Sequence, residues 1–166
     1  MNLRTHISRS NGYRELGMFD ESILELEEIE GEDRWHLLVV EARYNTYRDA
    51  KEWELAKTMA EVMVNRMPDK FEWLKNQVEA MTKCGDPTGA LQLLHDSSKR
   101  FGEDAQYIFA LGRQYALLCD IEESKKYVKR AIKMDRSLKA EFLDDSAFDA
   151  VWESFWVGGR CHFKQV

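Results

Sequence analysis

The chain repeats itself at an offset of 34 residues, and that period restricts the fold more than any other feature of it. Gly17-Met18-Phe19-Asp20-Glu21-Ser22 recurs as Lys51-Glu52-Trp53-Glu54-Leu55-Ala56. It recurs again as Gly85-Asp86-Pro87-Thr88-Gly89-Ala90 and as Cys119-Asp120-Ile121-Glu122-Glu123-Ser124. Each block is a polar turn, a bulky or ring-bearing residue, two mostly polar residues and then a small one. Counted as units 3–36, 37–70, 71–104 and 105–138, the register holds elsewhere. The eleventh position carries Tyr13, Tyr47, Met81 and Tyr115, and the twentieth Ser22, Ala56, Ala90 and Ser124. The twenty-fourth carries Leu26, Ala60, Leu94 and Val128, the twenty-seventh Ile29, Met63, Ser97 and Ala131. Within a unit the apolar residues fall at helical spacing, as in Leu37, Val40, Tyr44 and Tyr47. A single helix pair cannot bury its apolar stripe alone, so neighbouring pairs must stack and share a core.

Helix stops fall where this register needs them. Gly85 with Pro87 separates the two helices of the third unit, and Pro68 with Asp69 separates units two and three. Asp33, Asp69 or Lys70, and Glu103 or Asp104 are placed to open the helices that follow. The first helix is the weakest, with Gly12 inside it and Ser10 at a packing position, and is expected to fray or to act as a polar N-terminal cap. Beyond the four units a stack needs a terminal cap. Ser137 to Phe155 supplies one, with a break at Asp144-Asp145-Ser146 and an apolar face of Phe142, Leu143, Phe148, Val151, Trp152 and Phe155. The cap is set at 139–156, and 157–166 is expected to be a flexible tail.

Composition excludes more than it assigns. At 166 residues the chain has the size of one domain, and two prolines with no alternating apolar runs argue against a sheet. A net charge of −6 disfavours a nucleic acid or an anionic membrane surface as the main ligand. No apolar run is long enough for a membrane span or a signal peptide. Three cysteines, Cys84, Cys119 and Cys161, without Cys-x-x-Cys spacing, fit a reducing cytoplasm and a core-filling or incidental role.

Chemistry-bearing patterns are missing. His6, His36, His95 and His162 share no ligand spacing, and Cys161-His162 would need two further ligands that the sequence does not place. No phosphate loop and no nucleophile elbow is present. The acidic run Glu25-Leu26-Glu27-Glu28-Ile29-Glu30 reads as a solvated helix face. The expectation is a non-catalytic protein with no cofactor and no metal.

The most complete unit reads Ile108-x2-Leu111-Gly112-x2-Tyr115, followed by Ser124-x3-Val128 and Ala131. Over 3–138 the chain resembles the tetratricopeptide repeat, with its period of 34 and its Trp-x2-Leu-Gly-x2-Tyr, Ala-x3-Phe and Pro pattern. The resemblance implies an all-α, right-handed α-α superhelix of four helix pairs with a C-terminal capping helix. It also implies a concave groove lined by positions two, five, six, nine, twelve and thirteen of each first helix. Those positions select Asn11, Arg14, Asn45, Arg48, Lys75, Asn76 and Arg113, with Glu79, Lys83, Gln106 and Phe109 beside them. Asparagine amides can both donate to and accept from a peptide backbone, and arginines fork onto carboxylates. A partner protein segment of acidic character is therefore the implied ligand. The family's carboxylate clamp for heat-shock chaperone tails is matched at Asn45 and Asn76 but not at Glu41, Gln106 and Ala110, which argues against that ligand. Two other readings stand beside this one. One is a self-assembling structural protein, a homo-oligomer joined through Trp152, Phe155 and Trp156. The other is a small chaperone of secreted proteins.

Overall fold

The computed structural model describes residues 2–156, leaving the tail over 157–166, with Cys161 and His162, and the side chains of Phe155 and Trp156 outside the described residues. Among the described residues there is no strand. The helices are α1 (Leu3–Glu15), α2 (Phe19–Glu27), α3 (Leu37–Asp49), α4 (Trp53–Arg66), α5 (Phe71–Lys83) and α6 (Pro87–Asp96). They continue as α7 (Ser98–Phe101), α8 (Ala105–Leu117), α9 (Ile121–Met134), α10 (Leu138–Asp144) and α11 (Asp149–Trp156). Short 3-10 turns cover Gly31–Trp35 and Ser146–Phe148. First helices begin at residues 3, 37, 71 and 105, and second helices at 19, 53, 87 and 121, so both series advance by the sequence period.

The turn inside each pair is built the same way four times. Gly17, Lys51, Gly85 and Cys119 all take positive φ, between 62° and 86°. In each, the next residue donates its backbone N–H to the eleventh-position carbonyl: Met18 to Tyr13, Glu52 to Tyr47, Asp86 to Met81 and Asp120 to Tyr115. This is a left-handed helix C-cap closed by a six-to-one hydrogen bond. It explains why the block that marks the period in the sequence begins where it does.

The chain divides into two compact units, Met1–Asp86 and Pro87–Val166, rather than the undivided domain its length suggests. The boundary falls in the turn between α5 and α6, inside the third pair. In the first unit α1 packs on α2 and α3, α2 on α3, α3 on α4, and α4 on α5. Its core gathers Val40, Tyr44, Ala56, Met59, Ala60, Met63, Trp73 and Ala80. In the second unit α6 packs on α8, α8 on α9, and α10 and α11 on α9.

The small residues at the twentieth position, Ser22, Ala56, Ala90 and Ser124, are all fully buried. The approach is close at Gly112, where an added Cβ would lie 2.8 Å from Val128 Cγ2. Ser124 Oγ donates to the Gly112 carbonyl across the same contact at 2.8 Å.

Several expectations need correction. Helix α1 is a continuous helix, not a frayed one: Asn2 caps it by accepting from the Arg4 N–H at 3.1 Å. Ser10 is fully buried and hydrogen bonded to Ser22 at 2.8 Å, which in turn bonds Thr46 at 2.9 Å. Asp33 does not open α3 but lies in the 3-10 turn, and His36 is the capping residue, its Nδ1 accepting from the Leu38 N–H at 3.2 Å. Asp104 does cap α8 through the Tyr107 N–H, and Lys70 precedes α5 without a side-chain cap. Cys119 is exposed and Cys84 half-buried, so neither fills the core; each sits where its helix ends.

The C-terminal segment breaks where expected, with Asp145 accepting from the Ala147 N–H at 2.9 Å to start the 3-10 turn. Phe148 and Val151 are buried, and Phe148 lies 5.2 Å from the Phe109 ring and 5.0 Å from Phe142.

Candidate protein-binding face

The first helices of the first unit carry six of the residues selected from the sequence: Asn11 and Arg14 on α1, Asn45 and Arg48 on α3, Lys75 and Asn76 on α5. Asn11 and Asn45 take the same position, the ninth, on successive first helices. All three asparagines are half-buried. Among the described residues their side-chain amides make no hydrogen bond. An amide half out of water that spends none of its donors or acceptors on its own chain is available to another one.

The arginines are engaged. Arg14 Nη1 donates to Asp49 Oδ2 at 2.9 Å, while Arg48 donates to Asp49 Oδ1 through Nε at 3.0 Å and Nη2 at 2.9 Å. One carboxylate thus joins α1 to α3 and serves two guanidiniums. Burial works against the charge on Arg48, but the hydrogen bonds and charge of Asp49 outweigh it and hold the guanidinium above its ordinary pKa. Arg14 Nε is buried and has no acceptor among the described residues. The Arg48 guanidinium lies 5.8 Å from the centre of the Tyr44 ring, which meets Trp73 edge-on at 5.5 Å. Burial pushes the Tyr44 hydroxyl up to about 12, and its proton has no acceptor among the described residues.

The second unit treats its candidates differently. Arg113 Nε donates to Asp145, so the chain's own C-terminal segment takes that guanidinium. Phe109, expected beside the groove, is buried under Phe148 instead. Gln106 is exposed at the start of α8. Of the aromatic trio proposed for self-association, Trp152 is 41 % exposed and leans edge-on against Phe142 at 5.9 Å.

The sequence reading did not single out Asp49, which joins the arginine pair, or Tyr44, whose ring lies beneath the Arg48 guanidinium. Asp49 stands one residue after Arg48, at the thirteenth position, so the sequence places a carboxylate beside Arg48, while its meeting with Arg14 is set by packing. Among the described residues no three of the histidine, cysteine, aspartate or glutamate side chains are grouped to hold a metal ion, and no helix is long and apolar enough to cross a membrane. No protein-family model and no curated protein matches the chain.

Proposed function

We propose that the chain is a non-catalytic protein-interaction module of tetratricopeptide type. In this reading its helix pairs stack as a right-handed superhelix, and an extended segment of another protein lies along the first helices. The observation that carries the reading is the set of three half-buried, unengaged amides at Asn11, Asn45 and Asn76 on α1, α3 and α5. Each can hold a peptide unit through one donor and one acceptor. Asp49 already takes the guanidiniums of Arg14 and Arg48, so in this reading the amides rather than the arginines carry the recognition.

Among the described residues, replacing all three asparagines removes no side-chain hydrogen bond, so the variant tests recognition provided that its melting temperature matches the wild type. Affinity capture from a native extract, with the wild type and an Asn11→Ala, Asn45→Ala, Asn76→Ala variant side by side, is the experiment. At about 1 kcal/mol per hydrogen-bonded amide, the variant loses roughly a hundredfold in affinity. A partner kept by the wild type and lost by the variant, at equal melting temperature, supports the reading. The same proteins captured by both rules this face out.

A further inference from the structure

The charge of the chain is unevenly placed. Met1–Asp86 holds eighteen carboxylates against twelve Lys and Arg, whereas Pro87–Val166 holds twelve of each. Within the first unit the excess sits on α2 and the turn after it: from Asp20 to Asp33 there are eight carboxylates and no cation. Within the second unit the opposite holds on α9 and just beyond it, where Lys125 to Lys139 contains seven cations and one carboxylate. Both faces are on the surface. Asp20, Glu21 and Glu27 on α2 and Glu28 just after it are exposed, as are Lys126, Arg130 and Lys133 on α9.

Each face also has an apolar centre. Leu24 is 61 % exposed amid the carboxylates of α2, and Met134 is 48 % exposed amid the cations of α9. An apolar centre within a charged rim is the anatomy of a protein interface. Beside Leu24 the surface of α1 and α2 forms an open concavity of about 450 Å³. Tyr13 and Leu24 give it apolar walls, Glu21, Glu25 and Glu28 line one part of it, and His6 and Arg9 line the part beside Glu25. Glu25 already holds His6 at 2.8 Å and Arg9 at 3.8 Å, whereas Glu21 and Glu28 have no ion-pair partner among the described residues. A lysine or arginine fits there, its methylene stem on Tyr13 and Leu24 and its charge between the two free carboxylates.

We infer that copies of this chain associate with one another, the acidic face of α2 on one copy receiving the basic face of α9 on another. Pairing α2 with α2, or α9 with α9, sets like charges against each other, so the complementary arrangement sets α2 of one copy against α9 of another. Because the attraction is between exposed charges, salt weakens it.

Sedimentation of the full chain tests this, at protein concentrations up to the order of 100 µM expected for a small, weak contact. At about 20 mM salt, where the screening length is roughly 20 Å, the average mass rises with concentration; at about 0.5 M it returns to the monomer. A Glu27→Lys, Glu28→Lys variant and a Lys133→Glu, Arg136→Glu variant each stay monomeric alone, with unchanged helicity. An equal mixture of the two associates again, because each supplies the charge the other has lost. Trp152→Ala associates like the wild type. A wild type that stays monomeric at low salt overturns the inference, as does association that neither charge variant reduces. Capture of a single-stranded RNA by α9 in a monomeric wild type also overturns it and assigns the basic face to nucleic acid.

Discussion

Ser22 and Ala56 occupy the same position of the period, and both are fully buried, yet they are not equivalent. Thr46 Oγ1 donates to the Ala42 carbonyl at 3.0 Å. With that proton committed, Ser22 donates to Thr46 and Ser10 donates to Ser22, a one-way chain of hydroxyls through α1, α2 and α3. Removing the middle member strands a buried donor. Ser22→Ala is therefore expected to cost about 1–3 kcal/mol in urea unfolding, although alanine is the residue found at positions 56 and 90. Tyr44 sets a second residue-scale expectation. Its folded pKa of about 12 lies above the value of about 10 for an unfolded tyrosine. The unfolded chain therefore gives up the proton first. The stabilisation is complete below about pH 10 and is lost as pH rises toward 12. Relative to Tyr44→Phe, wild-type stability should fall by roughly 2 kcal/mol across that window, read from urea titrations at successive pH values.

At the scale of elements, the four left-handed turns set both the length of the first helices and the direction of the second. Two of the four use glycine, and two use Lys51 and Cys119 at φ 62°, where a Cβ crowds the following carbonyl. Lys51 is exposed and its side chain has no role in the turn. Lys51→Gly is expected to stabilise the first unit by about 0.5–1 kcal/mol, the relief of strain exceeding the entropy that glycine loses on folding. A lower urea midpoint for this variant would show that the lysine is held there by something other than the turn. Second helices vary more than first ones: α4 and α9 run for 14 residues each, but α2 stops after 9 and the third gives way at Ser97 between α6 and α7. There Ser97 Oγ donates to the Leu93 carbonyl at 2.9 Å, a back-bond that weakens a helix interior.

At the scale of the whole molecule, each unit has buried side chains of its own. In the second unit α10, the 3-10 turn and α11 cover α8 and α9, and Phe148 is the central contact, placed against both Phe109 and Phe142. Phe148→Ala is expected to cost about 3–5 kcal/mol and to raise amide exchange along α8 before it does so in the first unit. Uniform exchange along the chain would mean that the two units unfold as one. The uneven charge belongs to this scale as well, since a net −6 conceals one unit that carries all of it and another that is neutral overall.

The sequence by itself determined the starts of the paired helices at the 34-residue period, the turns between them, the buried small position and the break at Asp144–Ser146. These depend on local backbone preference and on contacts that recur with the period, so four copies of a weak signal add up. The tertiary structure alone decided that Ser10 is a buried link rather than a fraying defect, and that Arg14 and Arg48 meet on Asp49. It also decided that Phe109 is covered by Phe148, and that the chain divides between α5 and α6. The partners in those contacts are set by packing between particular side chains, Arg14 and Asp49 being 35 residues apart. A repeat pattern gives every unit the same neighbours in outline, but which polar groups meet depends on the residues in which the units differ.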